Sequence, residues 1–313
     1  MILVCGVLAD AMIELMCARL NDMGYEYVFL DESRLPGEFH VNWSISENSV
    51  AGYVSSPSGK VTLNDITGVY VRYVDYRGKK ARDGISNREE ELIRAEYQAS
   101  LMHLFDAMPS VVVNRARASV SNDSKLYQQL QLSAFGFLTP RTLVTTVPEQ
   151  AAAFYQSCRK RVVYKSVSGI RSVVQRLEDE DLPRLERVRN CPTQFQEVVE
   201  GVDVRVHVVG EDVFATELKS TATDYRYAAA TGDSLTARAI EIPPELAAAC
   251  VRLTRSSGLM VSGIDLRRTS DNKYYCFEMN PSPGFVFYER TTGQPISEAV
   301  ARLLRSGSTR AHS

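Results

Sequence analysis

An aspartate, a glutamate and an asparagine recur at a spacing that suits a divalent metal ion. Asp265 lies on one apolar run, and Glu278 and Asn280 lie on the next, with the polar segment 270–273 between them. Alternate residues of a strand point to the same face, so Glu278 and Asn280 share a face. All three side chains offer hard oxygen ligands, the kind that Mg²⁺ takes in proteins. The spacing favours a magnesium site; a hairpin with a polar, solvated face is the alternative.

The register of this hairpin gives the metal hypothesis a geometric form. A two-residue turn at 271–272 places Asp265 directly opposite Glu278, and Gly263 opposite Asn280. The three oxygen ligands then converge beside a position that has no side chain. Magnesium binds few protein oxygens and shares its remaining positions with water and substrate phosphates.

The composition narrows the class of protein. A chain of 313 residues suits two or three packed subdomains, and 44% hydrophobic with 24% charged residues is ordinary for a soluble globular protein. A net charge of −2 gives no reason to expect nucleic acid or an anionic membrane as a partner. The apolar start of the chain is too short to span a membrane and is predicted to be a buried strand. Six scattered cysteines without a CxxC pair indicate reduced core residues of a cytoplasmic protein.

The order of predicted elements divides the chain into three parts. Strands alternating with helices over 1–115 predict an α/β subdomain, with short alternating segments at 41–63 that form an antiparallel ribbon. A second subdomain spans 116–193 and a third, rich in hairpins, spans 194–305. The tail 306–313 is predicted to be disordered.

Two lysines lie where a phosphate-binding cleft needs positive charge. Lys125 is in the first turn of a predicted helix, and Lys165 ends an apolar run and enters the loop 166–169. A lysine at a strand end can reach a phosphate as a point charge while backbone N–H groups hold the oxygens. The loop has one glycine and is not a Walker A sequence. A solvated strand end is the alternative for such a lysine.

The segment 194–205 combines an extended edge, a turn at Gly201 and a new strand. The backbone at 197–199 would suit the edge of an adenine, and the carboxylate of Asp203 would suit a ribose diol. Arg205 shares the face of Asp203 and could hold a phosphate or a carboxylate bidentately. An ordinary hairpin with an Asp/Arg pair on its surface is the alternative.

These motifs, taken in order, resemble a known family. The order is Lys125, then VVYKSVSG around Lys165, QEVVEGVDVRVHVVGEDVFATELKS, GIDL and FEMNPSPGF. It resembles the ATP-grasp superfamily, in its glutathione synthetase-like and ribosomal-protein glutamyl ligase-like (RimK-like) branch. The resemblance covers about residues 125–304 and is weaker over the first third. The stretches GVYVRY, DYRYA and FVFYERTTGQPI look most like ligases that build ester and amide crosslinks in ribosomally made peptides, the graspetide or microviridin type.

The resemblance implies a fold and an activity. The fold is α/β, and α+β in its ATP-grasp part: a pre-ATP-grasp domain at 1–115, a small lid subdomain at 116–193, and a C-terminal subdomain with the magnesium site at 194–305. Antiparallel sheets of the two ATP-grasp subdomains enclose the ATP cleft. The implied activity is an ATP-dependent carboxylate–amine or carboxylate–hydroxyl ligase that acts through an acylphosphate on a peptide or amino acid. A small-molecule kinase is the alternative, and a homodimer is compatible with the family.

The resemblance also assigns roles to residues. ATP is contacted by Lys125, Lys165, Gln196, Glu197, Val198, Val199 and Asp203. One or two Mg²⁺ ions are bound by Asp265, Glu278 and Asn280. The acylphosphate and the substrate carboxylate face Arg205 and Arg226, with Lys219 on the same side of the cleft. The substrate pocket includes Arg72 and Tyr288.

One assigned residue is placed by strand alternation, and two departures from the family pattern qualify the assignment. Lys219 is placed by strand alternation in a hairpin of 203–209 and 213–219 that turns at 210–212. The loop after Lys165 lacks the glycine cluster usual in the family. Tyr227 follows Arg226 where the glutamyl ligases carry an Asn nearby, which favours a peptide-modifying subgroup.

Overall fold

A computed structural model describes most of the chain. The described residues are 1–35, 37–47, 49–57, 59–73, 85–119, 125–168, 174–220 and 235–307. They form four sheets, and the mixed α/β architecture with several antiparallel sheets agrees with the predicted fold class. The predicted disordered tail lies almost wholly outside the described residues. Within the described ranges, no helix has the length and apolar character that crossing a membrane requires.

The first third of the chain combines a parallel sheet with a small antiparallel one. The parallel sheet has the strand order β2-β1-β6-β7, and the predicted ribbon forms the antiparallel sheet β3-β4-β5. Every residue of β1 is buried, as expected of a strand covered on both faces. In chain order the elements are β1 (Ile2–Gly6), α1 (Ala11–Asp22), β2 (Tyr27–Asp31), β3 (His40–Ser46), β4 (Ser49–Ser56), β5 (Gly59–Thr62), β6 (Gly68–Val71), α2 (Asn87–Ala107), β7 (Val111–Val113) and α3 (Ala116–Ser119).

The middle of the chain forms an antiparallel sheet with the order β10-β9-β11-β8. Its elements are α4 (Lys125–Ala134), β8 (Thr142–Thr145), α5 (Pro148–Ser157), β9 (Val162–Ser166), β10 (Gln175–Arg176), a 3₁₀ helix (Asp179–Asn190) and β11 (Thr193–Glu197). Strand β11 pairs with both β8 and β9, so this sheet continues past the boundary predicted at residue 193. We therefore propose that the lid subdomain ends after β11, near residue 200.

The last third forms a five-stranded antiparallel sheet with the order β14-β13-β12-β15-β16. Its elements are β12 (Val202–Val209), β13 (Asp212–Ser220), β14 (Leu235–Ile240), α6 (Pro244–Ser256), β15 (Val261–Arg268), β16 (Tyr274–Asn280), α7 (Val286–Thr292) and α8 (Ile296–Ser306). Strand β16, which carries Glu278 and Asn280, is an edge strand of this sheet.

Two apolar cores hold this sheet in place. On one face, residues of β12, β13 and β15 join α1, α7 and α8 in a core that also reaches the parallel sheet. The opposite face packs on a second core with side chains from α4 and α6. The first of these cores fixes the five-stranded sheet against the N-terminal third, so the face that carries Asp265 is bordered by that third.

Candidate active site

The hairpin of β15 and β16 has the predicted register at its functional end. Asp265 pairs with Glu278, and Gly263 pairs with Asn280. Directly opposite residues of an antiparallel pair have neighbouring side chains on one face. The three predicted metal ligands therefore lie on one face of the sheet, and this part of the sequence prediction is confirmed.

The predicted two-residue turn of this hairpin is wrong. Arg268 pairs with Tyr274, and Asn272, with φ of 58°, closes a longer loop in which the Thr269 N–H donates to the Lys273 carbonyl at 2.9 Å. A type I turn followed by one left-handed residue makes such a three-residue loop. A β-bulge then shifts the register between Leu266 and Asp265, because β16 contains one extra residue, Phe277. The bulge compensates for the longer turn and restores the pairing of Asp265 with Glu278.

The place beside Gly263 is filled by an arginine. Arg205 pairs with Asp265 across β12 and β15, and its Nη1 donates to Asp265 Oδ1 at 2.7 Å. A Cβ atom on Gly263 would lie 2.5 Å from Arg205 Cζ and 2.7 Å from Pro283 Cβ. Glycine is therefore required here because a guanidinium lies against its backbone. The Arg205 side chain is only 7% exposed, so its charge is compensated at Asp265 in a nearly dry environment.

A cleft that is partly open to solvent lies between the lid sheet and the five-stranded sheet. We call it the cleft. Eight residues assigned from the sequence line it: Lys165, Gln196, Glu197, Val198, Val199, Asp203, Asp265 and Glu278. Seven further lining residues were not predicted: Val163, Val174, Arg176, Val204, Leu266, Arg267 and Phe277. Predicted nucleotide and metal residues thus share one cavity, although they come from two different sheets.

Arg267 is the most consequential cleft residue that was not predicted from the sequence. Its Nε and Nη2 lie 2.8 Å and 2.7 Å from Asp203 Oδ1, and its Nη1 donates to the Val199 carbonyl at 3.1 Å. The guanidinium carbon lies 5.3 Å from the centre of the Phe277 ring. Arg267 follows Asp265 by two residues, so strand alternation could have placed it on the same face. Phe277 lines the cleft at the bulge, for which the sequence gives no signal.

The connection between the two sheets leaves the backbone N–H of Val199 available to a ligand. The N–H groups of Glu197 and Val198 donate to the carbonyls of Arg141 and Arg161 at 2.9 Å and 3.0 Å. Among the described residues, no group accepts a hydrogen bond from the N–H of Val199, which also lines the cleft. A free backbone N–H beside apolar walls suits the hydrogen-bonding edge of a heterocyclic base.

The lid contributes Lys165 and Gln196 to the cleft. Lys165 lies on β9 and pairs with Gln194 of β11, so the sheet holds its backbone at the cleft edge. Gln196 is buried, and its Nε2 donates to Thr142 Oγ1 at 3.1 Å. That bond ties Gln196 to β8, so the structure gives it a place in the sheet as well as in the cleft lining.

Of two further predicted residues, the structure gives the position of Lys125 along its helix and does not describe Arg226. Lys125 is the first residue of α4, in agreement with its predicted position in a helical first turn. Arg226 lies outside the described residues.

The prediction that Lys219 faces the cleft is wrong. Arg205 pairs with Thr216, so the even-numbered residues of β13 share the face of Arg205 and Asp265. Lys219 points to the opposite face, where its Nζ lies 3.9 Å from Glu217 Oε1. The cause is the turn: Val209 pairs with Asp212, so the loop has two residues instead of the predicted three. A slip of one residue exchanges the two faces of a strand.

The two predicted substrate residues have structural partners. Arg72 donates to Asp10 Oδ2 at 3.0 Å and to Ser282 Oγ at 2.9 Å, and therefore joins the N-terminal sheet to the segment after Asn280. Tyr288 is buried in the core, with its ring centre 4.7 Å from that of His207, because α7 turns it inward. Tyr288 does not line the cleft, and its substrate role stays a prediction.

The segment after Asn280 is fixed by buried polar groups. Asn114 is buried; its Nδ2 donates to the carbonyls of Val261 and Pro281, and its Oδ1 accepts from the Met260 and Val261 N–H groups. His207 Nε2 lies 3.3 Å from the Gly284 carbonyl. Burial lowers the pKa of His207 well below its usual range, and the Arg205 guanidinium lowers it further. A neutral imidazole can donate through Nε2 to this carbonyl without adding charge beside Arg205.

The oxygen atoms that the three predicted ligands offer are of the chemical type that magnesium binds. Asp265 and Glu278 supply carboxylate oxygens, and Asn280 supplies Oδ1, which is oriented by the Ser282 N–H at 2.9 Å. Among the described residues, no group of three or more His, Cys, Asp and Glu side chains could hold a metal ion by itself. Two carboxylates and an amide suit an ion that completes its coordination with water and phosphate oxygens, as Mg²⁺ does.

Comparison with known proteins identifies the family. The sequence profile described as the RimK-like ATP-grasp domain matches residues 123–304, more than half of the chain. The chain belongs to the RimK-like ATP-grasp family. One protein similar to this chain is a probable alpha-L-glutamate ligase of Trichodesmium erythraeum (strain IMS101). The two sequences are 27% identical over 217 residues, which cover 66% of this chain and 70% of the relative. The protein is accordingly an ATP-grasp ligase, as its sequence predicted.

Solved structures of ATP-grasp ligases extend the likeness to the N-terminal third. The ATP-grasp ligase PsnB, complexed with a minimal precursor, Mg and ADP, is 27% identical, covers 98% of this chain and 97% of its own, and has a TM-score of 0.77. A Chryseobacterium gregarium RiPP-associated ATP-grasp ligase, in complex with ADP and a leader and core peptide, has a TM-score of 0.83 over 98% of this chain and 97% of its own, at 23% identity. The second likeness concerns the fold alone.

Proposed function

We propose that this ATP-grasp ligase uses MgATP to join a carboxylate of a peptide to an amine or a hydroxyl group through an acylphosphate. The observation that carries the proposal is the cleft itself. It brings Lys165 and Val199 of the lid side together with Asp203, Asp265 and Glu278 of the five-stranded sheet. A nucleotide and its metal need these two groups of residues on either side of one cavity.

The nucleotide would lie along the connection between the sheets. The Val199 N–H is available to the base, and Val163, Val174 and Phe277 supply apolar surface for it. Asp203 would accept hydrogen bonds from the ribose hydroxyls while Arg267 holds its carboxylate in place at 2.7 Å. Lys165, and Lys125 at the start of α4, would compensate the phosphate charge.

Asp265, Glu278 and Asn280 would hold Mg²⁺, which when bound neutralises charge on the phosphates. A substrate carboxylate oxygen then attacks the γ-phosphorus, the bond to the β–γ bridging oxygen breaks, and ADP leaves. The amine or hydroxyl attacks the acyl carbon, loses a proton to water, and displaces inorganic phosphate. Arg205 remains beside Asp265 and stabilises the negative charge that develops on the acyl and phosphoryl oxygens.

Relatives support a peptide as the substrate. PsnB is a ligase complexed with a precursor, and the Chryseobacterium protein is complexed with a leader and core peptide. The relatives named probable alpha-L-glutamate ligases favour an amino acid as the alternative acceptor or donor. The six free cysteines are compatible with a reducing cytoplasm, which we propose as the location. A homodimer stays a prediction, which sedimentation of the purified protein tests.

A product assay tests the proposal. ADP release is measured with a panel of amino acids and carboxylate-rich peptides, and the products are analysed by mass spectrometry. Ligation within a peptide removes one water, and ligation to an amino acid adds that residue. A product that keeps a phosphoryl group would instead identify the protein as a kinase.

Matched variants separate the site from the rest of the fold. Asp265→Asn and Glu278→Gln are each expected to lower turnover roughly 10³-fold or more. Each change removes a carboxylate ligand of the metal ion, which would then stabilise the charge on the phosphoryl group less well. Asp212→Asn and Glu245→Gln make the same chemical changes at exposed positions outside the cleft and should retain wild-type turnover. Equal turnover in all four variants would contradict the assignment of the cleft.

A further inference from the structure

A buried glutamine forms two hydrogen bonds with the backbone between two of the proposed metal ligands. Gln128, 1% exposed on α4, accepts a hydrogen bond from the Met279 N–H through Oε1 at 2.9 Å. Its Nε2 donates to the Met279 carbonyl at 2.8 Å. Met279 lies between Glu278 and Asn280, so one side chain satisfies both backbone groups at the centre of the metal-binding end of β16.

These two hydrogen bonds are needed because β16 is an edge strand. In an antiparallel strand, successive residues direct their backbone groups to alternate sides. Glu278 and Asn280 pair with Asp265 and Gly263 of β15, and β16 has no strand on its other side in the described sheet. Met279 therefore directs its N–H and carbonyl away from β15, towards α4, where Gln128 replaces a neighbouring strand. Without it, two buried backbone groups would lose their partners.

The same side chain links the two halves of the proposed chemistry. Gln128 lies one helical turn after Lys125, the lysine assigned to the ATP phosphates, at the start of α4. The α4 helix is thus fixed to the strand that bears Glu278 and Asn280 by two hydrogen bonds at a single residue. A movement of α4 would move the lysine and the metal ligands together.

We propose that Gln128 is a positioning residue of this ligase: it sets the orientation of Glu278 and Asn280 through the Met279 backbone and thereby the affinity for Mg²⁺. The proposal rests on the function proposed above, since it requires the metal at these ligands. Gln128 is buried and does not line the cleft. Its effect belongs to the class of outer partners that orient ligands, whose loss typically weakens metal affinity or activity by roughly 10- to 100-fold.

Three variants test this role. Gln128→Met keeps the length and volume of the side chain but cannot bond the Met279 backbone. Gln128→Glu keeps the acceptor, while its second oxygen can donate to the Met279 carbonyl only when the carboxyl is protonated. Gln150→Met is the matched control, because Gln150 is exposed on α5.

The first measurement needs no substrate. Amide exchange in the protein labelled with ¹⁵N-methionine should become faster at Met279 in Gln128→Met, while the buried Met16 of α1 keeps its wild-type rate. Mn²⁺ is then titrated in the presence of ADP and followed by paramagnetic resonance. We expect its dissociation constant to rise roughly 10- to 100-fold in Gln128→Met and to stay unchanged in Gln150→Met.

The second measurement is a pH profile. Burial raises the pKa of a carboxyl, so Glu at position 128 gains its proton within the working range of the assay. The turnover of Gln128→Glu, divided by that of the wild type, should rise as the pH falls from about 9 to about 6. The corresponding ratio for Gln128→Met should be flat. If Gln128→Met does not fold, the profile of Gln128→Glu carries the test.

The outcomes separate this inference from the proposed function. Wild-type Mn²⁺ affinity and Met279 exchange in Gln128→Met would overturn the positioning role, and so would a flat profile of Gln128→Glu. If Glu278→Gln abolishes turnover at the same time, the proposed function still stands. If the wild type binds Mn²⁺ with ADP no better than Glu278→Gln does, the metal assignment itself fails.

Discussion

Substituting Gly263 by alanine should uncouple Arg205 from Asp265 without removing any charged group. The added Cβ would lie 2.5 Å from Arg205 Cζ, whereas carbon atoms in contact are normally about 3.5–4.0 Å apart. The guanidinium must therefore move by about 1 Å. A shift of that size brings the 2.7 Å hydrogen bond to Asp265 to the limit of about 3.5 Å at which it is lost.

The cost can be estimated from this geometry. Pro283 Cβ, 2.7 Å from the added atom, blocks the alternative of moving the methyl group instead. Overpacking of this kind costs about 1–3 kcal/mol of unfolding free energy. If Arg205 stabilises the transferring group as proposed, its displacement should lower turnover roughly 10²- to 10³-fold, the effect of removing one fixed donor.

The assay combines urea unfolding with Mg²⁺-dependent ADP release. Gly284→Ala serves as the control, since no described residue other than its two chain neighbours has a heavy atom within 4 Å of a Cβ placed at Gly284. We expect Gly284→Ala to match the wild type in both measurements. Wild-type turnover of Gly263→Ala would refute the role of the Arg205–Asp265 pair, even if the protein were less stable.

Three further changes have defined outcomes. Arg267→Met removes the guanidinium that lies 2.7 Å from the Asp203 carboxylate and should raise KM for ATP about tenfold with a smaller change in kcat, measured by steady-state kinetics. Asn114→Ala leaves buried backbone groups such as the Pro281 carbonyl without partners and should cost at least about 3 kcal/mol in urea unfolding. Burial would raise the pKa of Glu217, but the Arg238 and Arg268 guanidiniums lower it below the ordinary value of 4.5. The resulting stabilisation is present above that value and is lost as the pH falls through the folded-state pKa, so Glu217→Gln should lower the melting temperature at neutral pH, and the difference from the wild type should shrink as the pH falls below about 4.5.

The sequence allowed the metal-binding end of the site to be predicted because strand alternation has a fixed period. Once Asp265 was placed on one strand and Glu278 on the next, few registers were available, and the observed pairing is the predicted one. The turn was predicted one residue too short, and the bulge at Phe277 compensated for it. No local residue pattern signals such a bulge, because it depends on how the strand packs.

The same kind of error had a different result in the neighbouring hairpin. There the loop was predicted one residue too long, and no bulge follows, so every side chain of β13 changes face and Lys219 leaves the cleft. The roles of Gln128, Asn114 and Arg267 were also missed. Each depends on contacts between residues distant in sequence, which periodicity and motif spacing do not encode.

The most direct test of the account follows the oxygen atoms of the substrate. A peptide that stimulates ADP release is labelled with ¹⁸O in its carboxyl groups and incubated with MgATP and the enzyme. An acylphosphate route transfers one ¹⁸O atom to each inorganic phosphate released, and Glu278→Gln should release none above background. Unlabelled phosphate from the wild type, or a phosphoryl group retained on the peptide, would contradict the proposal that this cleft activates a carboxylate.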